Sequence, residues 1–143
     1  DHFKNFNDTY GHNIGDEVLK TFSKRLKDNL RSFDLVARLG GEEFVAVLPD
    51  TDVKTAHTIA ERLRRSIMDA PFRTSYESPL EVTTSIGGVV IEAGDHTITE
   101  VLERADGQLY LAKNGGRNSV FFEDCGKLDP EEFRPQSRPI LNE

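Results

Sequence analysis

Two adjacent carboxylates follow a glycine pair near the middle of the chain. Glu42 and Glu43 come directly after Gly40 and Gly41, and apolar runs lie on both sides. Such a glycine pair predicts a β-hairpin, because glycine reaches positive φ without steric cost. Adjacent acids at a tight turn repel each other and add nothing to a core. A shared cation, or a bound polyphosphate with its metal, would account for them.

The first fifteen residues are polar and rich in turn-forming types. Asparagine, aspartate and glycine favour turns over a long helix, and the spacing of Phe3 and Phe6 predicts a single helical turn. The segment is either a solvated loop or a binding site for a small polar ligand. Asp16 then begins a run with apolar residues at helical spacing, and it is equally a helix N-cap or a ligand-binding carboxylate.

The hydrophobic pattern after Asp16 predicts an α+β fold with a mostly antiparallel central sheet flanked by helices. The glycine hairpin makes antiparallel pairing of its two strands almost obligatory. Gly87 and Gly88 interrupt a strand pattern, which indicates a bulge or a close backbone approach. Helices are predicted at residues 16–30, 53–68 and 97–114. The last of them begins with a capping box formed by Thr97 and Glu100. Strands are predicted at residues 35–39, 44–48, 80–85, 88–92 and 119–122.

The composition is that of a soluble globular protein, with 143 residues of which 36% are hydrophobic and 30% charged. The net charge of −7 argues against a general nucleic-acid or anionic-membrane surface. Residues 123–143 hold six acids and three bases, so the rest of the chain carries only −4. A phosphate ligand would therefore need a few well-placed Lys and Arg residues and a metal.

Residues 1–122 are expected to form one domain, and residues 123–143 a proline- and charge-rich C-terminal tail. No apolar run reaches the ~20 residues of a membrane span, and no signal peptide is recognisable. The single cysteine, Cys125, excludes an internal disulfide, suits a cytoplasmic location and has no catalytic motif around it. Because the sequence begins with Asp1 and not with methionine, we expect a fragment or a processed chain.

Five motifs, in order and at characteristic spacing, together resemble one protein family. They are residues 1–16 (DHFKNFNDTYGHNIGD), 31–34 (RSFD), 38–44 (RLGGEEF), 85–87 (SIG) and 105–118 (ADGQLYLAKNGGRN). The pattern is similar to the GGDEF domain of diguanylate cyclases, in particular to the GGEEF output domain of PleD-like response regulators. It implies a nucleotide-cyclase or polymerase-palm type of fold with a ferredoxin-like core. The first strand of that core, with a metal-binding aspartate, would lie before Asp1 and is therefore expected to be missing from this chain.

The resemblance also implies a reaction. Two GTP molecules would be condensed into cyclic di-GMP and two pyrophosphates, with one GTP held by each domain of a homodimer. Mg²⁺ or Mn²⁺ is the implied cofactor, and an upstream receiver or sensor domain is the implied partner. Since part of the metal site would precede Asp1, this residue is not assigned as a ligand, and the activity of the chain as given stays open.

Residue roles follow from the positions that match the family motifs. Glu42 and Glu43 are the implied catalytic acids, and Glu42 is also the implied metal ligand. Asn7 and Asp16 resemble the pair that reads guanine, since a carboxylate can accept from its N1 and N2 hydrogens. The implied substrate-binding residues are Lys4, Asn7, Asp16, Gly40, Gly41, Lys113 and Arg117, with Lys4, Lys113 and Arg117 contacting phosphates. Asp8 and His12 belong to the same motif, and His12 is implied to be structural and not a general base.

A second site is implied upstream of the hairpin. Arg31 and Asp34 lie nine and six residues before Gly40 and match the family's R-x-x-D inhibitory site, which binds cyclic di-GMP. Arg62 resembles the supporting arginine from the next helix. Alone, this pattern would indicate a local salt bridge and an arginine on a solvated helix face. Its fixed distance from Gly40 favours product inhibition.

Three other functions are compatible with parts of this pattern. A non-catalytic receptor for cyclic di-GMP or GTP would use Arg31 and Asp34 but would not need intact hairpin acids. An interaction module of the same fold would need neither. A cyclase that acts on a single nucleoside triphosphate is conceivable on the same architecture, but Asn7 and Asp16 favour the GTP-condensing reaction.

Overall fold

The computed structural model describes residues 1–94 and 97–123. Within these described residues, four helices and four short strands occur in the order α1 (Phe3–Tyr10), α2 (His12–Asn29), β1 (Leu35–Gly40), β2 (Glu43–Val47), α3 (Val53–Met68), β3 (Ile86–Gly88), α4 (Ile98–Asn114) and β4 (Val120–Phe122). This is the α+β class that the sequence predicts. No described helix combines the length and apolar character needed to cross a membrane.

The strands form two pairs. β1 and β2 are antiparallel, with Leu35 opposite Val47 and Arg38 opposite Phe44, as the hairpin prediction requires. β3 and β4 are parallel, with Ile86 opposite Val120. Hairpin adjacency could not predict the parallel pair, because its two strands are joined through α4.

Helix α1 corrects the expectation of a turn-rich first segment. It is a helix of eight residues and not a single turn. Phe3, Phe6 and Tyr10 lie on one of its faces and, partly buried, pack against the cluster of Val18, Ile67, Phe72 and Leu80. Burial of this aromatic face outweighs the local preference of Asn and Asp for turns.

The start of α2 corrects the N-cap assignment of Asp16. The helix begins at His12, after Gly11 with φ of 89°, so Asp16 lies inside the helix. Asp16 is therefore exposed and is not engaged as a cap. This removes the alternative role that local sequence gave it. The predicted cap of α4 is confirmed, since the Thr97 side chain accepts a hydrogen bond from the Glu100 amide.

The predicted strands at 80–85 and 88–92 are wrong, because the strand in this region is Ile86–Gly88. Its glycines are required by close packing. A Cβ on Gly87 would lie 2.2 Å from the backbone nitrogen of Leu109 in α4, and one on Gly88 would lie 2.4 Å from the Phe122 ring. Residue 80 takes part only in an isolated bridge with Phe72.

Two buried clusters hold the helices and the hairpin together. The first contains Val18, Ile67, Phe72 and Leu80, and α1 packs on it. The second contains Leu26, Ile59 and Leu63, and the inner face of the hairpin packs on it through Val36 and Phe44. Phe22 of α2 contacts both clusters, so α2 connects the first helix to the hairpin.

The expected boundary between a domain at 1–122 and a tail at 123–143 stays a prediction. Residues 124–143, which include Cys125, lie outside the described residues, as do residues 95 and 96 of the turn before α4.

Candidate functional site

The hairpin tip presents the two acids on exposed backbone. Glu42 lies in the turn and Glu43 begins β2, opposite Gly40. Gly41 has φ of 52° and Gly40 has φ of 152°, conformations that a side chain would disfavour. Arg38 fastens the turn by donating from Nε to the Gly41 carbonyl at 2.7 Å. The pattern of the sequence thus leads directly to two exposed carboxylates held by a tight turn.

Three of the predicted residues act electrostatically on the first residue. Burial lowers the pKa of the Asp1 ammonium group, the positive charges of Lys113 and Arg117 lower it further, and the negative charge of Glu42 raises it. The two cations and the hairpin acid therefore all lie within electrostatic range of Asp1. Lys113 is in the last turn of α4, and Arg117 follows that helix.

The backbone at Arg117 is held in an unusual conformation. Arg117 and Asn118 have positive φ values of 63° and 45°, which are uncommon for residues other than glycine. The Asn118 amide donates to the Asp1 carboxylate at 3.1 Å, and Arg64 donates to the Asn118 side-chain oxygen at 2.9 Å. These contacts fix the direction in which Arg117 leaves the helix. Asn118 was not among the predicted residues, and the positive φ that marks it cannot be read from sequence.

The corner between α1 and α2 brings Asn7 next to the residue before Asp16. The Asn7 Oδ1 atom is buried and has no hydrogen-bond partner among the described residues. It lies where a Cβ on Gly15 would be, at 1.9 Å from the ideal position of that atom. A buried acceptor without a donor is costly, so Asn7 is a candidate to accept from a ligand N–H. Lys4 is exposed on the same helix, one turn before Asn7.

A groove of about 770 Å³ runs between α2 and the hairpin. Asp16 lies in its lining, together with Arg38 and Phe44 of the hairpin. Three lysines of α2 also line it, namely Lys20, Lys24 and Lys27. The sequence did not predict this groove. The spacing of the lysines indicates only a solvent-exposed helix face, and the position of the hairpin beside that face is known only from the structure.

Arg31, Asp34 and Arg62 form a compact cluster at the other end of α2. Arg31 donates from Nε and Nη2 to the Asp34 carboxylate at 2.9 to 3.1 Å, and from Nη2 to the Thr51 hydroxyl at 2.6 Å. Its guanidinium also lies 4.5 Å from the Phe33 ring centre. Hydrogen bonds from Arg31 lower the pKa of Asp34, and the charge of Arg62 contributes to the same shift. Arg62 itself donates to the Asn29 carbonyl at 2.5 Å.

The carboxylates that could hold a divalent cation are those of Glu42 and Glu43. Within residues 1–94 and 97–123, no group of three or more His, Cys, Asp or Glu side chains is arranged to hold a metal. Mg²⁺ usually takes one or two carboxylates and completes its shell with water and substrate phosphates, so the hairpin acids fit its donor set. The Asp1 carboxylate is already engaged by the hydroxyls of Thr83 and Ser85.

Comparison with known proteins identifies the family. The family model described as "Diguanylate cyclase, GGDEF domain" matches residues 1–119. The chain belongs to the GGDEF family. This GGDEF domain is 47% identical over 121 residues to the response regulator PleD of Caulobacter vibrioides, a match that covers 84% of this chain and 27% of PleD. The resemblance read from the five motifs is thereby confirmed.

Solved structures agree with this assignment. The active GGEEF domain of a diguanylate cyclase from Vibrio cholerae has a TM-score of 0.74 at 37% identity, covering 85% of this chain and 76% of that one. The GGDEF domain of DgcB from Caulobacter crescentus, in complex with c-di-GMP, has a TM-score of 0.79 at 35% identity, covering 85% of this chain and 72% of that one. The palm-like fold is therefore confirmed, whereas the roles of the individual site residues stay predictions.

Proposed function

We propose that the protein is a diguanylate cyclase that condenses two GTP molecules into cyclic di-GMP and two pyrophosphates. The observation that carries this proposal is that a GGDEF domain contains both a candidate base-binding corner and a candidate metal-binding hairpin. One is the unpartnered Asn7 acceptor in the corner that bears Asp16. The other is the exposed Glu42 carboxylate at the hairpin tip, which lies, like Lys113 and Arg117, within electrostatic range of Asp1.

Base selection belongs to the helical corner. The Asp16 carboxylate accepts from the N1 and N2 hydrogens of guanine, and the Asn7 oxygen supplies a further acceptor. Adenine offers no such pair of adjacent donors, so the corner favours GTP over ATP. Lys4, Lys113 and Arg117 neutralise the triphosphate, and Gly40 and Gly41 let it lie close to the hairpin backbone.

The chemical step takes place at the hairpin. The 3′-oxygen of one GTP bonds to the α-phosphorus of the other, and the bond from that phosphorus to the bridging oxygen breaks, releasing pyrophosphate. Glu43 is the group that we assign to accept the 3′-hydroxyl proton. Glu42 would hold Mg²⁺ or Mn²⁺, which when bound neutralises charge on the phosphates. Each domain holds one GTP, so two domains must face each other in a homodimer.

Product inhibition is proposed for the cluster of Arg31, Asp34 and Arg62. Arg31 is held by the Asp34 carboxylate, and the charge of Arg62 also acts on Asp34. Two guanidinium groups in this arrangement suit recognition of phosphodiester oxygens and a guanine edge. Arg62→Ala should raise the inhibition constant for cyclic di-GMP while the initial rate stays unchanged. Arg65→Ala on the same helix is the matched control, and an inhibition constant unmoved by Arg62→Ala contradicts this part of the proposal.

The wider setting of the domain is also part of the proposal. We assign it to the cytoplasm, under the control of an upstream receiver or sensor domain. The experiment that tests the function is incubation of the full-length protein with GTP and Mg²⁺, followed by mass-spectrometric detection of cyclic di-GMP and pyrophosphate. Cyclic di-GMP bound tightly but never synthesised would instead support the receptor function, for which the formed Arg31–Asp34–Arg62 cluster is the favouring observation.

A further inference from the structure

The loop 72–80 is closed at its base by two hydrogen bonds. The Phe72 amide donates to the Leu80 carbonyl at 2.8 Å, and the Leu80 amide donates to the Phe72 carbonyl at 2.9 Å. Both side chains are buried in the cluster on which α1 packs. The base of the loop is thus part of the core, and the position of its tip is defined by that anchor.

The tip of this loop contacts both helices of the α1–α2 corner. Ser75 donates to the two carboxylate oxygens of Glu17, from its amide at 2.8 Å and from its hydroxyl at 2.5 Å. The adjacent Tyr76 ring meets the Tyr10 ring edge to face, with their centres 5.0 Å apart. Glu17 is on α2 and Tyr10 is the last residue of α1.

These contacts lie beside the residues proposed to read the base. Glu17 follows Asp16 directly, and Tyr10 is one turn after Asn7 on α1. We propose that Ser75 and Tyr76 are positioning residues that hold the α1–α2 corner in the geometry for guanine recognition. This inference rests on the proposed function, because it concerns the same nucleotide.

The chemistry of the Glu17 contact suits this role. Two donors from one residue to one carboxylate form charge-assisted hydrogen bonds that fix orientation as well as distance. They also lower the pKa of Glu17, with a smaller contribution from the charge of Lys20. A small displacement of α2 relative to α1 would separate Asp16 from Asn7, and recognition by two groups depends on their spacing.

The test compares Ser75→Ala with Ser75→Thr and Ser78→Ala in the full-length protein. Ser75→Thr keeps the hydroxyl, and Ser78→Ala makes the same change elsewhere on the loop. The readouts are KM and kcat for GTP, and the preference for GTP over ITP, whose base lacks the 2-amino group. Losing one hydrogen bond to a charged group should raise KM for GTP about three- to tenfold in Ser75→Ala, with kcat unchanged.

The preference for GTP over ITP should fall by a similar factor in Ser75→Ala, while Ser75→Thr and Ser78→Ala stay within about twofold of the original protein. A loss of folded protein alone would lower the apparent kcat and leave KM and the preference unchanged. In a Glu17→Ala background, Ser75→Ala should add no further change. Equal KM and equal preference in Ser75→Ala and the original protein would overturn the inference.

The same variants separate this inference from the proposed function. If the full-length protein synthesises no cyclic di-GMP, the proposed function fails, and calorimetric binding of GTP and ITP then replaces the kinetic readout. Weaker and less selective GTP binding by Ser75→Ala would still support the positioning role. Unchanged binding constants for both nucleotides would overturn it.

Discussion

The α1–α2 corner and the β1–β2 hairpin carry the two halves of the proposed site in different ways. The corner packs its aromatic face on a buried cluster, and that core positions the residues that we propose to read the base. The hairpin is anchored on one face only. On its other face Leu35, Leu39 and Val47 are 64%, 57% and 44% exposed. The positions of Glu42 and Glu43 are therefore set by the backbone conformation of the turn.

Because of this difference, guanine recognition and catalytic turnover should respond to different kinds of substitution. Changes in the corner or in the core beneath it should affect guanine recognition and stability together. Changes at the hairpin tip should affect turnover while stability stays nearly constant.

Substitution of the hairpin acids should have the largest effect. Glu42→Ala or Glu43→Ala should lower cyclic di-GMP synthesis on the order of 100-fold or more, because Glu42 is proposed to hold the metal and Glu43 to accept the 3′-hydroxyl proton. Since both side chains are exposed, the free energy of unfolding should change by less than about 0.5 kcal/mol. Glu103→Ala, at an exposed acid on α4, is the control for both measurements. Unchanged synthesis in both hairpin variants would contradict the assignment.

Removal of the Arg25 side chain should destabilise the core beneath the corner. Arg25 donates to the carbonyls of Ser66, Ala70 and Pro71 at the end of α3 at 2.6 to 3.2 Å, and it lies 4.0 Å above the Phe72 ring. Arg25→Met should lower the free energy of unfolding by about 2 to 4 kcal/mol, measured by urea denaturation. Lys24→Met, next to it on the solvent side, should change it by less than about 0.5 kcal/mol.

Gly15 should be required for its lack of a side chain and not for its flexibility. In Gly15→Ala the new methyl group would occupy the place of the Asn7 oxygen and displace it. KM for GTP should rise about tenfold, as expected for the loss of one hydrogen bond in a buried site. Gly107→Ala is the matched control, because a Cβ there meets no described atom within 4 Å. That control should gain about 1 kcal/mol of stability from helix propensity and leave KM unchanged. If Gly15→Ala leaves KM for GTP unchanged, this result would contradict a role for Asn7 in base recognition.

A pH dependence should accompany the Arg31–Asp34 pair. The pKa of Asp34 is lowered in the folded protein, chiefly by hydrogen bonds from Arg31. The pair therefore stabilises the fold above the ordinary aspartate pKa of about 3.9, and this contribution is lost as pH falls through the lowered value. The stability difference between the original protein and Asp34→Asn should be constant from about pH 5 to 7 and should shrink below about pH 4. A difference that grows on acidification would contradict the sign of this shift.

Sequence reasoning predicted most elements that periodicity or turn chemistry defines. The hairpin at Gly40 and Gly41, the helix Val53–Met68 and the Thr97 cap are confirmed. It failed for elements whose formation depends on contacts between residues far apart in the sequence. Helix α1 forms because Phe3 and Phe6, partly buried, pack against a cluster from α2, α3 and the 72–80 loop, which no local pattern shows.

The motifs predict Glu42, Asn7 and Asp16 as site residues, and these roles stay predictions. The contacts that hold the corner come from the structure and could not be predicted from the sequence. The orphaned oxygen of Asn7 depends on a contact with Gly15 across a helix–helix corner. The Ser75–Glu17 contact joins residues 58 positions apart, and nothing in the spacing of either residue predicts it.

We assign base recognition to the α1–α2 corner and metal binding to the hairpin. Nucleotide binding to the Glu42→Ala variant is the decisive test of this assignment. Calorimetry would measure the dissociation constants of GTP and ATP for this variant of the full-length protein, once with Mg²⁺ and once with EDTA. We expect the preference for GTP over ATP to remain, and the increase in affinity that Mg²⁺ gives the original protein to disappear. Loss of the GTP preference in this variant, or an undiminished effect of Mg²⁺, would contradict the account.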